Sequence, residues 1–157
     1  MNLRDEKVLT TLGAAWDRGA NVQVLYHAED DDQKISNEAA IRQFNLENIC
    51  KPRNPRGLTL SHSKTIVLTK DSVAQAVLTG STNFSVGGIY GHSNVVHVCE
   101  RDDVAAKYLW LWDELKKNTP KSADAGVIVG KTPLPQDPVA KQITSIFSPR
   151  DSLEALD

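Results

Sequence analysis

The stretch from Leu60 to Val98, LSHSKTIVLTKDSVAQAVLTGSTNFSVGGIYGHSNVVHV, decides the fold. It opens with a β-like run, LSHSKTIVL (60–68), and a second follows at AQAVLTGS (74–81). Lys70-Asp71-Ser72 lies between them as a turn, because Asp and Ser satisfy their own backbone locally and end a strand. A third run, SNVVHVCE (93–100), extends just past the stretch. Three short strands joined by turns form a sheet that needs helices to cover it, and the flanking sequence supplies them.

On the N-terminal side, DEKVLTTLGAAWDR (5–18) sets Val8, Leu12, Ala15 and Trp16 at helical spacing, and Gly19 provides a stop. NVQVLYHA (21–28) alternates, with Val22, Val24 and Tyr26 on one face and Gln23 and Leu25 on the other, which predicts a strand. Ser36 and Asn37 are candidate caps for a short helix, NEAAIRQFN (37–45). KPRNPRG (51–57) reads as a loop, since two prolines and a glycine interrupt regular structure. On the C-terminal side, Asp102 or Asp103 caps a helix, VAAKYLWLWDELKK (104–117), with Val104, Tyr108, Leu111 and Leu115 on one face. The whole is an α/β pattern.

The last 40 residues differ in kind. Five of the seven prolines lie after Asn118, so 118–157 reads as a linker with one strand-like run at ITSIFS (143–148) and an opening helical pattern, SLEALD. The expected domains are therefore residues 1–117 and a Pro-rich tail, 118–157.

With 157 residues, 40% of them hydrophobic and 24% charged, the chain suits about one soluble globular domain. No apolar run approaches the roughly 20 residues that span a bilayer, and the N-terminus lacks the apolar segment of a signal peptide. Two cysteines, Cys50 and Cys99, are too few for a disulfide scaffold or a cysteine zinc site, and are read as reduced thiols of a cytoplasmic protein. A net charge of −2 argues against coating nucleic acid by bulk charge. The charge is uneven, however. Asn48 to Lys70 contains no acid but has Lys51, Arg53, Arg56, Lys64 and Lys70, a local positive balance suited to one anionic group at one site.

The chemistry-bearing residues converge on the opening stretch. His62 and Lys64 are two apart in a β-like run, which directs both side chains to one face. Gly80-Ser81-Thr82-Asn83 follows where a strand meets a turn. Together they offer an imidazole, an ammonium, a hydroxyl and a carboxamide. A basic nucleophile with several donors is the equipment for attack at phosphorus with neutralisation of the non-bridging oxygens. Taken alone, His-x-Lys is common by chance and marks an exposed strand end with a solvated lysine. Gly-Ser-Thr-Asn alone is an ordinary turn. The two in this order and at this spacing are far more specific.

His62-Ser63-Lys64 followed by Gly80-Ser81-Thr82-Asn83 resembles the phospholipase D superfamily. Its motif is His-x-Lys, four residues, an Asp, and then Gly-Ser-x-Asn. The resemblance runs over about residues 5–117 and is strongest over 60–98. One position departs: Thr69 stands where the family has Asp, and Asp71 lies two residues on. The resemblance implies a phospholipase D-like mixed sheet flanked by helices, incomplete at the N-terminus, because such domains open with a strand and this chain opens at a helix. It implies His62 as the nucleophile forming a phosphohistidine. Lys64 and Asn83 would hold phosphoryl oxygens, and Ser81, orienting the histidine, and Asn94 would support substrate binding. No metal and no cofactor is implied, since Lys and Asn neutralise the charge that a cation neutralises elsewhere.

Members of the superfamily join two such motifs, the second histidine protonating the leaving oxygen. This chain has one His-x-Lys. The implied partners are thus a phosphodiester substrate (nucleic acid or phospholipid head group) and either a second copy in a homodimer or a missing second half. On the latter view residues 143–157 open a truncated second repeat, and the 143–148 strand fills the vacant first position of the sheet. The alternative is a catalytically silent fragment or dimerising interaction module that keeps the fold.

Other signals are weaker. AGVIVGKT (125–132) imitates a phosphate-binding loop, but its first glycine is misplaced and Pro133 follows where a helix must start. Ser61-His62-Ser63-Lys64 fits Ser-x-x-Lys without the companion motifs of penicillin-recognising enzymes. Asn83-Phe84-Ser85 is a sequon that matters only in a secreted protein. His27, His92 and His97 lack zinc-site spacing. Trp110 and Trp112 read as helix bulk, and Lys51, Arg53 and Arg56 as either a steering or a solvated loop.

Overall fold

The computed structural model describes residues 3–28, 31–53, 62–117 and 143–148. Elements run α1 (Glu6–Asp17), β1 (Val24–His27), α2 (Asp31–Gln43), β2 (Cys50–Arg53), β3 (Thr65–Lys70), β4 (Val73–Gly80), a π-helical turn (Gly87–Gly91), β5 (Val96–Cys99) and α3 (Asp102–Lys116). Helices with a parallel strand pair and an antiparallel triple make this an α/β chain, as the sequence predicts. The chain divides into two compact units. The first takes in residues 1–54, 58–64 and 79–97, the second 55–57, 65–78 and 98–157.

In the first unit, the buried Asp5 caps α1 by accepting from the Val8 N–H at 3.1 Å. Gly19, at φ +87°, ends the helix with its N–H on the Trp16 carbonyl. Strands β1 and β2 pair in parallel, Val24 opposite Cys50 through His27 opposite Arg53. Residues 51–53 are therefore strand, where the prolines predict loop. The reason lies in the pairing. Val24 and Ala28 donate to the Ile49 and Arg53 carbonyls, so odd-numbered residues of β2 face β1. The N–H that Pro52 lacks is on the side away from the ladder, where proline is tolerated.

Helix α2 begins at Asp31, several residues before the expected caps. Acidic residues at 31 and 32 suit the positive end of a helix. Asn37, expected as a cap, is fully buried inside the helix. Its Oδ1 accepts from the Leu3 N–H at 3.0 Å and its Nδ2 donates to the His27 carbonyl at 3.2 Å. Leu3 in turn forms a parallel bridge to Phe84, whose carbonyl accepts from Arg4 and Asp5. One polar side chain thus ties the start of the chain, α2 and β1 together. The bridge carries the tie on to the residue after Asn83.

The second unit packs β3, most of β4 and the end of β5 with α3; the strand order is β3-β4-β5. Asp71 and Ser72 both have positive φ (51° and 65°), the geometry of a two-residue type I′ hairpin turn. Ala74, Val77, Val104 and Ala105 form its core, with Val67, Cys99, Tyr108 and Leu109 against them. The apolar face of α3 is therefore centred on Val104, Ala105, Tyr108 and Leu109 rather than on the predicted Leu111 and Leu115. Arg101 occupies the cap position, and Asp102 and Asp103 fall in the first turn. Residues 143–148, expected as a strand in the sheet, join neither sheet. They have no regular structure, and Phe147 stacks edge-on against Tyr108 of α3 with centroids 5.0 Å apart. Burial of one aromatic ring on the helix prevails there over the weak strand pattern.

Both cysteines are free, Cys50 buried with its thiol pushed up to about 11 by burial. Among the described residues no helix is long and apolar enough to cross a membrane.

Candidate active site

Residues 62–64 precede β3 rather than lying in it, so strand alternation does not set their directions. His62 is exposed, whereas Lys64 is only 3% exposed and turns its ammonium back to the His62 carbonyl at 2.6 Å. That short charge-assisted bond closes a compact loop ahead of the strand. It also fixes the electrostatics. The Lys64 charge, aided by some burial, holds the His62 imidazole below its ordinary pKa of 6.5. Burial likewise lowers the Lys64 ammonium. An imidazole so placed is neutral near pH 7 and has a lone pair to give.

Ser81 and Asn94, separated by 13 residues in sequence, are joined directly. The Ser81 hydroxyl donates to Asn94 Oδ1 at 3.0 Å and accepts from the Val95 N–H at 3.1 Å; the Ser81 N–H donates to the Val95 carbonyl. Its proton is thus given to Asn94 rather than to the imidazole that Ser81 is expected to orient. Asn94 Nδ2 continues to the Gly88 carbonyl at 2.7 Å. Gly88 packs on the backbone of Asn83 so closely that a Cβ there would overlap the Asn83 carbonyl oxygen. Gly80 is held likewise against the Val95 carbonyl. Ser81, Asn94 and Gly88 therefore clamp the loop that carries the half-buried Asn83.

The five expected residues fall in the first unit, as two groups: His62 with Lys64, and Ser81 with Asn94 around the Asn83 loop. Thr69 is exposed on β3, and Asp71 serves the hairpin turn. Of the three basic residues in 51–56, Arg53 is buried in β2, Lys51 is exposed, and Arg56 lies outside the described residues. The clamp's use of Gly88 was not anticipated from the sequence. The Gly87-Gly88 pair marks a close approach, but what it approaches is visible only in three dimensions.

Chemically, this arrangement offers an exposed neutral imidazole, an adjacent cation and, on a clamped loop, a carboxamide. Residues 1–115 match the family described as cardiolipin synthase, PLD-like domain. No curated protein matches the sequence. The superfamily typically carries out phosphodiester hydrolysis or transfer. With the motif-bearing stretch inside a match that spans most of its length, the chain belongs to the PLD-like domain family of the phospholipase D superfamily.

Proposed function

We propose that this chain is a metal-independent phosphodiester hydrolase or transferase of the phospholipase D type, acting through a phosphohistidine on His62. The observation that carries the reading is the buried Lys64 beside an exposed His62, which keeps the imidazole deprotonated where a substrate can reach it. In the first step a ring nitrogen of His62 attacks phosphorus. The P–N bond forms as the bond to the leaving oxygen breaks, and that oxygen takes a proton from a second histidine. In the second step water, or another hydroxyl, attacks the same phosphorus and gives its proton to the second histidine as the P–N bond breaks. Lys64 and Asn83 neutralise the non-bridging oxygens, which build up charge in both steps. The sequence contains one His-x-Lys, so the second histidine comes from a second copy or from another half. General acid catalysis is worth roughly 10²–10⁴-fold, and an isolated half-site is nearly inert without it.

The test is hydrolysis of methyl p-nitrophenyl phosphate in excess EDTA. Turnover by the wild type that falls by about 10²-fold or more in His62→Ala supports the reading. A folded protein without turnover overturns catalysis by this chain alone and leaves either a half-site that awaits another half or a silent interaction module that keeps the fold, the reading that Thr69 at the family's Asp position favours.

A further inference from the structure

One large side chain next to this site has no role in the reading above. Tyr90 is 62% exposed on the π-helical turn Gly87–Gly91. Such turns break the regular helical ladder and recur at functional sites. The turn is also fastened to the candidate site at Gly88. The Gly88 N–H donates to Ser85 Oγ at 3.2 Å, its carbonyl accepts from Asn94, and its Cα lies against the Asn83 backbone. The ring is thereby held at a fixed offset from the residues that would hold phosphate. Lys7, on the exposed side of α1, sets its ammonium 5.8 Å from the Tyr90 centroid.

An exposed aromatic ring, a cation 5.8 Å from its centroid and a turn fastened to the candidate phosphate loop suit a ligand in which π-faces and phosphates alternate. We propose that Tyr90 and Lys7 form a stacking platform for a base of single-stranded nucleic acid whose backbone phosphodiester is presented to the Asn83 loop. The inference rests on the proposed function and names its substrate class. The alternative phosphodiester is a phospholipid. A quaternary ammonium head group would also seek the ring, but the positive charge of Lys7 beside it repels a cation. A glycerol or acyl chain has no π-face to stack. A base stacks on the ring face away from Lys7 while its neighbouring phosphate meets the ammonium, so the two contacts reinforce each other. A net charge of −2 is compatible with this, since the contact is local and not a coat of charge.

Binding of a labelled oligothymidylate and of an abasic strand of equal length, by fluorescence anisotropy, tests the inference. The measurements use the full chain carrying His62→Ala, which cannot consume the strand, so loss of hydrolysis and loss of stacking are read separately. Stacking predicts that the base-bearing strand binds about tenfold or more tightly. Tyr90→Ala removes that preference and Tyr90→Trp keeps it. Lys7→Gln weakens both strands and lowers the slope of log affinity against log salt by about 0.7, the value for one contact to a single strand. Equal affinity for the two strands, no binding of either, or a preference that survives Tyr90→Ala overturns the proposal. So does Tyr90-dependent binding to phosphatidylcholine–phosphatidylglycerol vesicles without binding of the strands, which would assign the ring to a lipid surface.

Discussion

At the scale of single residues, Lys64 carries the most consequence. A lysine buried beside a histidine is costly to keep charged, and its bond to the His62 carbonyl offsets part of that cost. The same charge depresses the imidazole pKa. The sign follows directly. His62 loses its free lone pair as pH falls through its pKa, and a depressed pKa keeps the proposed nucleophile available below pH 6.5. Lys64→Met removes the largest cause of the depression, so the His62 pKa rises toward its ordinary value and the acid limb of any turnover moves to higher pH. An NMR titration of the His62 ring, assigned by its loss in His62→Ala, reads this without relying on activity. An unchanged or lower pKa in Lys64→Met would contradict the electrostatic coupling. The residue types were legible in the sequence because the motif carries them. Their geometry was not, because alternation presumes a strand and residues 62–64 stand before one.

At the scale of elements, the loop after β4 depends on absent side chains as much as on present ones. Gly88 sits against the Asn83 carbonyl, so Gly88→Ala forces backbone apart and destabilises by about 1–3 kcal/mol. Gly91 ends the same turn with nothing within 4 Å of a Cβ, and Gly91→Ala stays within about 0.5 kcal/mol of the wild type. Urea denaturation of the two variants side by side checks the contrast; equal stabilities would show that the close approach does not hold the loop. Helix α1, strands β1, β3, β4 and β5 and helix α3 were readable from periodicity and turn residues. The early start of α2, the strand through Pro52 and the π-helical turn were not. Each is settled by contacts that local periodicity does not carry: Leu3 and His27 for Asn37, β1 for Pro52, and Asn83 and Asn94 for Gly88.

At the scale of the whole molecule, a single His-x-Lys confronts the proposed reaction, which needs two histidines. If a second copy supplies the other, two-fold symmetry brings His62 of each chain to one phosphorus, and each chain poisons its partner when mutated. Mixing wild type with an equal amount of His62→Ala after dissociation and reassociation then leaves roughly half the activity of the same wild type alone. Activity that stays unchanged on mixing would mean that each chain acts without its neighbour's histidine. Sedimentation over the same concentration range shows whether the mass follows the activity.

Much was fixed by short-range information. The α/β class, the order of most elements and the choice of His62, Lys64, Ser81 and Asn83 as candidate site residues follow from periodicities and a spaced motif, which the chain carries wherever it folds. Tertiary structure decided the rest. It buried the Lys64 ammonium against the His62 carbonyl, turned Ser81 to Asn94, and set Tyr90 on a turn braced against Asn83. It also set Phe147 against Tyr108 of α3 and left residues 143–148 outside the sheets. The physical reason is common to all four. Burial, desolvation and hydrogen-bond satisfaction depend on which groups the folded chain brings into contact, near or far in sequence, and no local pattern encodes which of them will meet.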